Sequence, residues 1–128
     1  MNAHDRDRFD DLVDDAIGAL PARLQGLLDE MPIIVLDRPT PEMLADLGMR
    51  PEEATDLCGL HTGVSFTERS IEADGTIPTQ IHLFREGILS AAGGWRGPVA
   101  EEIRITLLHE IGHQMGLEEE DLDDLGYA

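Results

Sequence analysis

Cysteine, aromatic residues and basic residues are all scarce in this chain of 128 residues. Cys58 is the single cysteine, so no internal disulfide can form, which fits a reducing compartment and predicts a cytoplasmic location. The chain has only 9 basic residues and 27 acidic ones, which gives a formal net charge of −18. Because phosphate backbones and anionic membranes need clustered Lys and Arg, this composition disfavours nucleic acid and membrane surfaces as partners.

Long apolar runs are also missing, so the sequence predicts no transmembrane segment. The first residues combine neither a basic leader nor an apolar core, so we expect no signal peptide. At this length the chain can bury one hydrophobic core but has no room for a separate substrate-binding domain. We therefore predict one domain spanning residues 1–128, with no internal repeat and no linker.

Helical periodicity dominates the N-terminal third of the sequence. Apolar residues recur three and four apart, which predicts an amphipathic helix on Phe9, Leu12, Val13, Ala16, Ile17 and Leu20. Pro21 interrupts it, and a short second helix follows near Leu24 and Leu28. Thr40-Pro41 predicts the start of another short helix, which runs to Leu47 and ends at Gly48.

Strands are predicted from β-branched and alternating runs. Ile33–Leu36 lies between two prolines and reads as a buried strand. Residues 64–69 and 80–84 alternate around a turn at 73–76, which predicts an antiparallel hairpin. Gly59 and Gly63 indicate a loop, after a short helical turn at Arg50-Pro51. A short helix is expected within residues 87–97.

A long helix is predicted from about residue 98 to residue 115. Gly97-Pro98 suits a helix start, and Glu101 and Glu102 suit its positive end. A buried face is formed at 3/4 spacing by Val99, Ile103, Leu107, Ile111 and Met115. Gly116 supplies a stop.

This helix carries His109-Glu110-Ile111-Gly112-His113, an HExxH motif. Histidines four apart lie one turn up the same helix face, so both imidazoles can reach one Zn²⁺ ion. Glu110 lies beside that face and can act as general base on a water. The plain alternative is a surface helix with two incidental histidines and no metal, as in a pure interaction module.

A catalytic zinc needs a third protein ligand. Gly116 can turn the chain back towards the metal, and Glu119 follows three residues later, where a carboxylate can bind. We predict His109, His113 and Glu119 as the ligands. The neighbours Glu118, Glu120 and Asp121 stay open as alternatives, and the acidic run also fits a solvated cap.

Three further residues are weaker candidates for a role in the metal site. His61 and His82 fit alternative metal ligands or oxyanion-stabilising donors, although such histidines are more often surface or strand residues. Tyr127 fits an oxyanion donor or a residue that packs on the core. Sequence alone leaves these alternatives open.

The segment Leu107–Leu117 resembles the bacterial minimal zincin family of small zincin-like metallopeptidases. Residues 57–69 are similar to that family's Leu-Gly-Leu-Tyr-x-Gly-Val-Pro-Leu-Thr-Glu-Arg stretch, and residues 77–84 to its strand before the active helix. The resemblance spans roughly residues 9–125. It implies an α+β zincin-type fold, with a small mixed sheet packed against an N-terminal helix and the HExxH helix, and HExxHxxGxxD zinc binding. This chain departs at Cys58, His61 and Glu119, the last standing where the family has aspartate.

These observations predict a zinc-dependent metallopeptidase that acts on a peptide or protein substrate. The substrate is expected to lie extended along an edge strand near residues 80–84. The alternative is a non-catalytic zinc-binding protein that uses the zincin fold for partner binding. The sequence specifies neither the cleavage preference nor the oligomeric state.

Overall fold

The computed structural model describes residues 1–29, 31–62 and 80–114. Two helices, α1 (Ala3–Gly18) and α2 (Ala22–Leu27), precede strand β1 (Ile33–Leu36). Helix α3 (Pro41–Leu47) and a 3-10 helix (Pro51–Asp56) lead to strand β2 (Gly59–Thr62). Strand β3 (Gln80–Phe84) runs directly into helix α4 (Arg85–Ala92), and helix α5 (Val99–Gln114) follows. The fold is α+β, as predicted.

Strand β3 is the centre of a three-stranded mixed sheet with the order β1-β3-β2. It pairs with β1 in parallel, with Ile33 opposite Ile81, and with β2 in antiparallel, with His61 opposite Ile81. Side chains alternate between the two faces of a strand. The residues opposite one another therefore put Gly59, His61, Ile81 and Leu83 on one face of the sheet.

That face packs against the two long helices. The shared core contains Phe9 and Val13 from α1, Ile81 and Leu83 from β3, and the stripe of α5. Ile103, Leu107 and Ile111 of α5 are essentially inaccessible to solvent. Burying each such side chain contributes about 1.5–3 kcal/mol, so this stripe holds α5 against the sheet. The buried helix face predicted from apolar residues three and four apart is thereby confirmed for residues 99–111.

A charged cluster joins α1 to the start of α4. The Arg85 guanidinium is 11% exposed and donates to Asp10 and to Asp37, each at 3.0 Å. Arg6 donates to the same Asp37 carboxylate at 2.7 Å. Hydrogen bonds from these two arginines hold the pKa of Asp37 below its usual value, Arg6 contributing most. The cluster fixes the chain where β3 becomes α4.

Most predicted helices are confirmed. The Thr40 side chain accepts from the Met43 backbone at the start of α3, and Gly48 ends that helix in the left-handed region at φ 69°. Helices α1, α2 and α5 lie where the periodicity placed them. Helix α4 starts slightly earlier than expected, directly after β3.

The strand predictions need three corrections. Ile33–Leu36 is a strand, but its residues are half-buried because β1 is a terminal strand of the described sheet. The segment from Gly59 is strand β2, where the glycines had indicated a loop. The predicted pairing of residues 64–69 with residues 80–84 is wrong. Residues 80–84 form β3, and β1 and β2 already occupy both of its edges. Residues 64–69 and the turn at 73–76 lie outside the described residues.

Among the described residues, no helix is both long enough and apolar enough to cross a membrane.

Candidate metal centre

The two histidines of the HExxH motif lie side by side on the last turns of α5. The ring centroids of His109 and His113 are 4.4 Å apart and their planes are tilted by 35°. His109 is half-buried and His113 is exposed, so this end of the helix faces solvent. A single small ion with bond lengths of about 2.0–2.1 Å to imidazole nitrogen can be approached from both rings in such an arrangement.

Glu110 lies on the side of α5 that faces strand β2. Its side chain is 13% exposed, and its Oε2 lies 2.8 Å from Nδ1 of His61. The hydrogen bond to Glu110 raises the pKa of His61, and the negative charge of the carboxylate acts in the same direction, while burial opposes both. The carboxylate is thus held beside the histidine pair.

Close packing of β2 on α5 brings His61 to this position. A Cβ on Gly59 would lie 2.8 Å from Cγ2 of Thr106 and 3.2 Å from both Cγ of Glu110 and the backbone oxygen of His82. Those distances leave no room for a side chain, so glycine permits the contact. Gly87 of α4 also permits a close approach. A Cβ at this position would collide with the backbone oxygen of Leu57, which lies just before β2.

The third histidine ring at this end belongs to His61. Its centroid lies 5.6 Å from that of His113. Three histidines and one glutamate therefore surround the end of α5: His61, His109, Glu110 and His113. His61 had been only a weak candidate from the sequence, because its partner Glu110 is 49 positions away. No local signal could have revealed the contact.

His82 does not join this group. It lies between Ile81 and Leu83 on β3, and its side chain therefore points to the opposite face of the sheet. It is 5% exposed, and its Nδ1 has no hydrogen-bond partner among the described residues. Burial lowers the pKa of His82. The earlier alternative of His82 as a metal ligand has no support from this position.

The donor set fits Zn²⁺ as far as the described residues extend. Two imidazoles at i and i+4, with a carboxylate beside them, are the ligand chemistry that zinc favours. Within residues 1–29, 31–62 and 80–114, no three His, Cys, Asp or Glu side chains are arranged to hold a metal ion. Gly116, Glu119, the neighbouring carboxylates and Tyr127 lie outside the described residues, so the predicted third ligand stays a prediction.

A groove of about 460 Å³ lies elsewhere, between α1 and the first half of α5. Its walls are mostly apolar, and its charged rim includes Glu101 and Arg104, which bond to each other at 2.6 Å. It contains neither histidine of the motif nor Glu110. The groove therefore belongs to the packing of α1 on α5 and not to the candidate centre.

An HExxH helix packed on a small mixed sheet defines the zincin class of metalloprotein. The sequence profile of the zincin-like metallopeptidases matches residues 28–127, which is most of the chain. The chain belongs to the zincin-like metallopeptidase family. A search among curated proteins gave no match.

Proposed function

We propose that the protein is a zinc-dependent peptidase in which Glu110 is the general base. The ligands in this proposal are His109, His113 and Glu119. The observation that carries it is the hydrogen bond that holds the Glu110 carboxylate to His61, whose ring centroid lies 5.6 Å from that of His113. A purely structural zinc site has no need of such a carboxylate.

Bound zinc would polarise the substrate carbonyl and lower the pKa of a water molecule. The proton transfers are carried out by Glu110. A Glu110 carboxylate oxygen takes a proton from the attacking water as the water oxygen bonds to the carbonyl carbon. When the C–N bond breaks, the same carboxyl passes its proton to the leaving nitrogen, which restores the carboxylate.

A peptide fits the strand arrangement beside this site. Strand β3 is central, so the placement of a substrate along residues 80–84 was wrong. The strand next to the histidines is β2, which is terminal in the described sheet and carries His61. An extended peptide adding to the outer edge of β2 would gain backbone hydrogen bonds and pass the end of α5.

Charge narrows the substrate class. With a net charge of −18, the protein attracts basic polypeptides, is compatible with neutral ones, and repels nucleic acid and anionic membranes. A single cysteine suits a reducing compartment, and we propose the cytoplasm.

Replacing Glu110 with glutamine tests the proposal. Zinc-loaded E110Q should keep its zinc and lose cleavage of a peptide library by about 10²–10⁴-fold, the usual contribution of a general base. Glu102→Gln, on the first turn of the same helix, is the matched control and should cleave normally. Wild-type protein that binds zinc but cleaves nothing would favour the non-catalytic zinc-binding alternative. Cleavage by E110Q at the wild-type rate would contradict the assignment of the base.

A further inference from the structure

His61 makes a contact that the proposed function does not use. Its Nδ1 lies 2.8 Å from Oε2 of Glu110. A carboxylate can only accept, so this contact requires that Nδ1 carries the proton and donates it. We propose that His61 is a positioning residue that holds the Glu110 carboxylate beside the His109 and His113 rings. This inference rests on the proposed function of Glu110.

Two points of contact from one strand fix Glu110. Gly59 and His61 are two residues apart on β2, so they share a face of the sheet. Gly59 lies against the Glu110 stem at Cγ, and His61 bonds its tip at Oε2. The close backbone at the stem and the hydrogen bond at the tip together restrict the rotamers of this glutamate. One oxygen is engaged by His61, and the second oxygen can take up a proton.

A role of His61 as a metal ligand fits less well. Its Nδ1 bonds to Glu110, which leaves Nε2 as the only ring nitrogen for a metal ion, and no three potential ligands among the described residues are arranged around one ion. A role as an ordinary surface ion pair also fits poorly. Such pairs are mostly exposed on both sides, whereas here the Glu110 side chain is 13% exposed and that of His61 is 35% exposed.

The first test uses the full-length metal-free chain, with ¹⁵N labelling of histidine. Long-range ¹H–¹⁵N spectra distinguish the Nδ1–H tautomer of a neutral imidazole from the Nε2–H tautomer. In the wild type, His61 should be the Nδ1–H tautomer, and Glu110→Ala should change its ring shifts strongly. Glu101→Ala, at the far end of the same helix, should not. His61 in the Nε2–H tautomer, or a ring insensitive to Glu110→Ala, would overturn the proposal.

The second test uses zinc-loaded protein. His61→Phe keeps a ring but has no donor, whereas the amide nitrogen of His61→Asn can take the place of Nδ1. His61→Phe should lower kcat by about 10- to 100-fold, the usual cost of misplacing a catalytic group. Its KM and zinc content should stay near those of the wild type, since neither binding interaction is removed. His61→Asn should recover most of the loss.

Three outcomes of the second test would overturn the positioning role: an unchanged kcat in His61→Phe, loss of zinc from it, or no recovery in His61→Asn. A wild-type protein that cleaves nothing would instead refute the proposed peptidase. The tautomer measurement on the metal-free chain still decides whether His61 holds Glu110 in that case.

Discussion

Replacing Gly59 with alanine should separate β2 from α5. The new Cβ would lie 2.8 Å from Cγ2 of Thr106 and 3.2 Å from the His82 backbone oxygen. Ordinary carbon contacts are about 3.5–4.0 Å, so β2 must withdraw by roughly 0.7 Å. Neither neighbour yields easily, because one is a short buried side chain and the other belongs to the central strand.

Overpacking of this kind costs about 1–3 kcal/mol in the free energy of unfolding. Urea denaturation of the metal-free protein measures that loss. The His61–Glu110 contact should weaken in the same variant, because β2 carries His61. Zinc-loaded Gly59→Ala should therefore also lose peptidase activity.

Two further variants control this prediction. Gly26 lies in α2 with no atom near its absent Cβ, so Gly26→Ala should be neutral or stabilising by up to about 1 kcal/mol. Thr106→Ser deletes Cγ2 alone, so the double variant Gly59→Ala/Thr106→Ser should recover at least about 0.5 kcal/mol relative to additivity. Full stability of Gly59→Ala, or strict additivity in the double variant, would refute the close packing of β2 on α5.

Three other perturbations have defined outcomes. Burial lowers the pKa of His82, so stability gained from its neutral form is present above about pH 6.5 and falls as the pH drops below that value. His82→Leu should remove this acid sensitivity from denaturation curves between pH 7 and pH 5, and an unchanged slope would contradict the burial of an Nδ1 that has no hydrogen-bond partner among the described residues. Asp37→Asn should cost about 1–2 kcal/mol at pH 7, since Arg6 and Arg85 both lose the Asp37 carboxylate as a charged partner. Because the pKa of Asp37 is lowered, that difference should vanish as the pH falls through its folded value, and a constant difference down to pH 2 would exclude the ion pair as its source. Glu119→Ala should weaken zinc binding by at least about tenfold in a competitive chelator titration, whereas Glu118→Ala and Glu120→Ala should not; an equal effect of all three would show that no single carboxylate is the ligand.

Local signals in the sequence predicted the helices and three of the four described residues of the candidate centre. Proline, capping residues and 3/4 spacing act within one or two turns, so α1, α3 and α5 could be read directly. The same is true of His109, Glu110 and His113, whose shared location follows from helical geometry alone. The HExxH motif and its helix are therefore the part of the site that required no tertiary information.

Pairing between distant strands could not be read in that way. Strand β2 contains a glycine that normally disfavours strands, and only its close approach to Thr106 and Glu110 explains the residue. Similarly, the central position of β3 depends on partners 18 to 48 positions away in β1 and β2, beyond the reach of local periodicity. The His61–Glu110 contact is a consequence of this pairing, which is why no clear role for His61 could be predicted from the sequence.

Anomalous diffraction at the zinc edge, from crystals grown with one equivalent of Zn²⁺, tests the central claim most directly. The account predicts a single strong peak at about 2.0–2.1 Å from a ring nitrogen of His109 and of His113, with a Glu119 carboxylate oxygen completing the protein ligands. A zinc peak bound elsewhere, or an ordered protein with no peak between these two rings, would contradict it.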